Sequence, residues 1–296
     1  MSLARTVRRL VAIATTAATI TVLAGCGGST PGAAQPRATT STAPGCTTAR
    51  TSGPGTLAYD GTDRTYLLEL PDPSPRDPAP LVVALHGHGG SAVELEAHTR
   101  LAARGAAGGA VVVTPDALGS PARWNFDRRD SEANDFGFIG ALIDHLEDEL
   151  CIDPDRVSVV GSSNGAAFAG LLACDPPYRF AAVAMVIATV PSSCPDDVSP
   201  AILTIRGTAD PHVRFDGTPD LVAGDAARYE CDPDPVREHP AASVARTRYR
   251  GCRGGTEVVL DAVEGGVHRW PTEDGSPPYD ATGAVLAFLA DHPGSG

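Results

Sequence analysis

The sequence predicts an α/β fold in one domain, a mostly parallel central sheet with helices on both faces. Short apolar, β-branched runs alternate along the chain with longer helical stretches. No segment repeats at a fixed period. About 250 residues remain once an N-terminal targeting segment is set aside, and 42% of the chain is hydrophobic, enough for one α/β core.

The elements follow in order. An early strand spans Thr65–Leu70, and the Pro-rich stretch Pro71–Pro80 is a loop rather than a domain boundary. A continuous apolar strand, Leu81–His86, precedes a helix near Ala92–Ala106. Then come a strand over Ala110–Thr114, a helix near Phe136–Leu150 and a β-branched strand over Val157–Val160. Further strands are expected over Ala181–Ala188, Ala201–Arg206, Val244–Arg250 and Thr256–Val263.

Between the strand ending near Val160 and the apolar run Ala166–Leu172 lies Gly161-Ser162-Ser163-Asn164-Gly165. A G-x-S-x-G turn from strand to helix holds its central serine exposed at the sheet edge, with a helix N-terminus behind it. Ser163 is therefore the candidate nucleophile. Its partners should follow in the order acid, then histidine. Asp210 sits in the loop after the strand Ala201–Arg206, and His268 tops the strand Thr256–Val263 on a glycine-softened loop. Asp216 and Glu264 are reserve acids, while His239 lies in a Pro-rich segment with no strand before it and is a poor substitute base.

The Gly-rich turn in LHGHGG, residues 85–90, is the candidate oxyanion loop. The expected donors are the backbone amides of His88 and of Asn164, the residue after the nucleophile. His86 and His88 could instead suggest a metal, but no third ligand lies at a recognisable spacing, so no metal is expected. Trp124 and Trp270 flank the site loops and are expected to offer exposed aromatic surface to substrate.

The blocks LHGHGG, RWNF, NDFGF, DPDRVSVVGSSNGAAF, RFAAVAMV, IRGTADPHVRFDG, GGVHRWP and DATGAVLAFLADHP together resemble the esterase family of polyhydroxybutyrate depolymerases and feruloyl or acetylxylan esterases. The resemblance covers about residues 45–293. It implies an α/β-hydrolase fold and a serine esterase acting on carboxylic esters, with Ser163, Asp210 and His268 as catalytic residues. This chain departs from the family's pattern at Ala166, at Arg206 in place of a histidine, and at Val267. The natural ester stays open among polyhydroxyalkanoate-type oligomers, feruloylated or acetylated polysaccharides and small soluble esters. A cell-envelope acyltransferase using the same triad, a serine peptidase and a catalytically silent binding lipoprotein are the other readings.

All 23 basic residues are arginine. The absence of lysine excludes a Ser-Lys dyad, a pyridoxal Schiff base and a P-loop lysine. No G-x-G-x-x-G follows a strand, and no cofactor is expected. The net charge of −13 becomes −16 without Arg5, Arg8 and Arg9, so charge-driven binding of nucleic acid or anionic lipid is not expected.

Residues 1–25 read as a leader, with a basic start and a short apolar core from Leu10 to Leu23. The sequence Leu23-Ala24-Gly25-Cys26 resembles the bacterial lipoprotein cleavage box. That resemblance implies export and lipidation at Cys26, with membrane contact only through that anchor; secretion is the alternative. Residues 26–45 are expected to be a polar tether, and the resemblance implies that 46–293 are the esterase domain. The Ala-, Arg- and Pro-rich composition is of the kind associated with high-GC actinobacteria.

Six further cysteines, an even count in an exported chain, suggest three disulfides. The expected pairs are Cys231–Cys252, closing a loop of about 20 residues, Cys174–Cys194, and, by elimination, Cys46–Cys151.

Overall fold

The computed structural model describes residues 50–74, 77–126, 133–175 and 180–294. The expected leader, the Cys26 lipidation site, the tether and Cys46 of the Cys46–Cys151 pair all lie outside the described residues.

Among the described residues, ten strands form one sheet: β1 (Gly53–Tyr59), β2 (Thr62–Glu69), β3 (Ala79–Leu85), β4 (Val111–Pro115), β5 (Ile152–Ser162), β6 (Ala182–Val186), β7 (Ala201–Gly207), β8 (Val236–Ala241), β9 (Val244–Tyr249) and β10 (Val258–Val263). Their spatial order is β1-β2-β4-β3-β5-β6-β7-β10-β9-β8. The centre, from β4 to β10, is parallel, and antiparallel pairs close both edges. Buried on both faces, the central strands read as unbroken apolar runs rather than alternating ones. Helices α3 (Asp135–Glu149), α4 (Asn164–Leu172) and α5 (Thr218–Arg228) cover one face. The other carries α1 (Ala92–Thr99), α2 (Leu101–Ala107) and α6 (Ala281–Asp291). The expected mostly parallel α/β sheet is thus the observed architecture.

Two local expectations change. The single helix over Ala92–Ala106 is two, broken at Arg100, whose φ of 52° is left-handed. The Glu96 carboxylate accepts from the amides of Ala102 and Ala103 at 2.7 and 3.2 Å, satisfying the second helix's first turn. His239 lies inside a strand, β8, that the prolines obscure. Pro240 lacks an N–H, and β8 accommodates it as the sheet's edge, with a register shift between Glu238 and Ala241.

Disulfides join Cys174 to Cys194 and Cys231 to Cys252. Both are among the expected pairs, and such bonds belong to chains that fold in an oxidising compartment.

Candidate active site

The sharp turn at Ser163 follows from its neighbours. Ser163 has φ 53° and ψ −115°, a conformation an ordinary residue avoids. A Cβ on Gly161 would stand 2.1 Å from the Gly165 carbonyl oxygen, and one on Gly165 would stand 2.4 Å from that of His86. Only glycine permits this approach of β5 to α4 and of α4 to the end of β3. The Ser163 amide donates to Val186 O at 3.0 Å, fixing the turn to β6.

At this edge the structure brings together three residues distant in sequence. His268 Nε2 lies 2.9 Å from Ser163 Oγ, and His268 Nδ1 lies 2.7 Å from Asp210 Oδ2. The other Asp210 oxygen accepts the amides of His212 and Val213 at 2.8 and 2.9 Å. Burial alone would raise the Asp210 carboxyl. The Val213 amide, His268 and the His212 amide outweigh it and hold the group below the usual carboxylate range. An ionised Asp210 accepts from Nδ1–H and leaves Nε2 free to take the Ser163 proton.

The loops bearing Asp210 and His268 are tied directly. The Ala209 amide donates to Gly266 O at 2.9 Å, and the Gly265 amide to Thr208 Oγ1 at 2.9 Å. The reserve acid Asp216 pairs instead with Arg214, and both are exposed. His212, not anticipated, sets its ring edge-on to that of His268 with centroids 5.4 Å apart.

The HGHGG turn abuts Ser163: a Cβ on Gly87 would meet Ser163 Cβ at 3.4 Å. His88 is exposed on this turn, and Asn164 begins α4. His86 is held rather than free. Its Nε2 accepts from the Ala117 amide at 3.0 Å, so Nδ1 carries the proton and donates to Gly87 O at 2.8 Å.

The two tryptophans are a correction. Trp124 is buried, with Nε1 donating to His86 O at 2.9 Å and its ring stacked on Phe168. Trp270 is buried as well, with Nε1 donating to Thr282 Oγ1 at 3.0 Å. Each indole N–H finds its acceptor inside, so the loops close over the rings. The exposed aromatic of that region is Phe126, 45% accessible and stacked on Phe168. Trp270 still touches a cleft of about 780 Å³ between the HGHGG turn, α1 and residues 269–274. Glu94, His98, Arg269 and Asp274 give that cleft a polar lining.

No protein-family profile matches the chain. It is 32% identical over 255 residues to NocK of Nocardia uniformis subsp. tsuyamanensis, named an esterase, covering 74% of this chain and 73% of that protein. Feruloyl esterase C of Emericella nidulans is 30% identical over 244 residues, 79% of this chain and 84% of its own. Among solved structures, an acetyl xylan esterase from Aspergillus awamori superposes with a TM-score of 0.62 at 15% identity, over 80% of this chain and 99% of that one. That likeness shows the fold.

Proposed function

The chain belongs to the esterase family that includes NocK and feruloyl esterase C, within the α/β-hydrolase superfamily, and from that premise we propose that this carboxylic ester hydrolase works through an acyl-enzyme on Ser163. The observation that supports the reading is the unbroken path from Ser163 Oγ through His268 to Asp210, at 2.9 and 2.7 Å. Ser163 attacks the ester carbonyl while His268 Nε2 takes its proton. The amides of His88 and Asn164 stabilise the oxyanion, and His268 returns the proton to the leaving alcohol. Water, activated by His268, then attacks the acyl carbonyl and frees Ser163 and the acid.

The proposed substrates are feruloyl or acetyl esters of carbohydrates, with the hydroxyl-rich alcohol portion in the polar cleft beside α1. A panel of methyl ferulate, acetylated xylan and hydroxybutyrate oligomers tests this: preference for the hydroxybutyrate oligomers would transfer the assignment to polyhydroxyalkanoates. We also propose that the leader exports the enzyme and that Cys26, once lipidated, anchors it through the 26–45 tether. The mass of the mature N-terminal peptide tests the anchor.

Replacing Ser163 tests the mechanism. Ser163→Ala should lower turnover of a short-chain p-nitrophenyl ester by about 10³-fold or more. Near-wild-type turnover would exclude Ser163 as nucleophile.

A further inference from the structure

β7 is apolar except for Thr204 and Arg206. Arg206 is 2% exposed, and it sits near the strand's C-terminal end, four residues before Asp210. A guanidinium is a poor occupant of such a place: burial strips its hydration and lowers its proton affinity. An apolar side chain would complete the strand's buried run at less cost in solvation. What Arg206 touches accounts for its presence.

Its Nη2 donates to Val213 O at 2.6 Å and to Arg214 O at 3.0 Å, and its Nη1 to Thr218 Oγ1 at 3.3 Å. The Val213 amide meanwhile donates to Asp210 Oδ1 at 2.9 Å. Val213 is thus gripped at both of its backbone polar groups, the amide by the acid and the carbonyl by the arginine. Thr218 is the first residue of α5, so the same guanidinium fixes the turn to the helix that follows it. Five donors in a rigid fork suit such divergent acceptors better than a single ammonium.

We propose that Arg206 is a positioning residue of the hydrolytic site, locking the 210–214 turn so that Asp210 is held in the one orientation that aligns His268. The inference rests on the Ser163–His268–Asp210 reading but can fail without it. Arg206→Met leaves two carbonyls without their donor and frees the turn. Wild-type and variant enzymes are compared in kcat and KM on a short-chain p-nitrophenyl ester. Rates are divided by the number of sites labelled to completion with a fluorophosphonate probe, with Ser163→Ala as the blank.

Misalignment of the base should lower kcat per labelled site by about 10- to 100-fold while KM stays within about twofold. Arg206→Lys should recover part of the loss, since an ammonium retains the charge but not the fork. A purely structural arginine would instead reduce the number of labelled sites and leave kcat per site unchanged, which would overturn the proposal. If Arg206→Met does not fold, Arg206→Lys decides: a per-site kcat several-fold below wild type supports the role, and equality overturns it. A wild-type enzyme that Ser163→Ala does not silence would mark failure of the triad reading instead.

Discussion

Asn164 Oδ1 accepts the backbone amide of Trp124 at 2.8 Å, so the residue beside Ser163 holds the loop that follows β4. That loop is held a second time from within by the Trp124 indole, which donates to His86 O. The strand end carrying the HGHGG turn, the turn at Ser163 and the Trp124 loop therefore form one bonded unit. Trp124→Phe preserves the stacking on Phe168 but leaves the His86 carbonyl without this donor. A cost of about 1–3 kcal/mol is expected, lowering Tm by roughly 2–4 °C per kcal/mol. Thermal melts of the two proteins check this, and an unchanged Tm would mean the bond is dispensable.

Gly165 has no room for a side chain. Gly165→Ala sets a methyl group against the carbonyls of Leu85 and His86 at 2.5 and 2.4 Å, and backbone must move to admit it. Because Leu85 ends β3 and His86 opens the HGHGG turn, the displacement reaches both that turn and Ser163. Turnover should fall by about 10²-fold or more even in folded protein; a variant within about threefold of wild type would contradict the crowding.

Asp225 gives the fold a measurable pH dependence. Burial pushes its carboxyl up from 3.8 to about 6, against a hydrogen bond from the Ser192 amide at 2.7 Å. Folding then favours the protonated form, so the folded state binds more protons and stability falls as pH rises from about 4 to about 6. The displacement corresponds to about 3 kcal/mol. Asp225→Asn keeps an acceptor for Ser192 without the charge. Its Tm should match wild type near pH 4 and exceed it at pH 7, whereas parallel curves across that range would refute the assignment.

The disulfides make a chemical prediction. Cys231 and Cys252 are 21 residues apart, and closing that loop contributes about 3 kcal/mol in the chain-entropy model. Peptide maps of non-reduced protein should recover Cys231 joined to Cys252 and Cys174 joined to Cys194. Recovery of Cys231 as an alkylated free thiol would contradict the first pair.

Much of this site is legible in the sequence because its signals are local. The Gly161–Gly165 spacing reports a clash that glycine alone avoids, and Asp210 and His268 each follow an apolar run that becomes a central strand. The edges were less readable. β1 and β2 join through Asp60-Gly61, both at positive φ, a hairpin turn whose dipeptide carries the cue. β8 hides behind Pro240, and α5 begins in a Gly- and Pro-containing stretch that reads as loop. The fate of the tryptophans was not readable, because an indole's exposure depends on whether a distant acceptor such as His86 O or Thr282 Oγ1 lies within reach. Arg206 did leave a trace, a lone charge in an apolar strand, but its partners are set by the turn that follows.

Everything in the proposed mechanism depends on Ser163 being the nucleophile that His268 activates. Exposing the enzyme to a fluorophosphonate probe and mapping the labelled peptide tests it directly. One adduct is expected, on Ser163, absent in Ser163→Ala and formed at least about 10²-fold more slowly in His268→Ala. Labelling at another residue, or none in active enzyme, would contradict it.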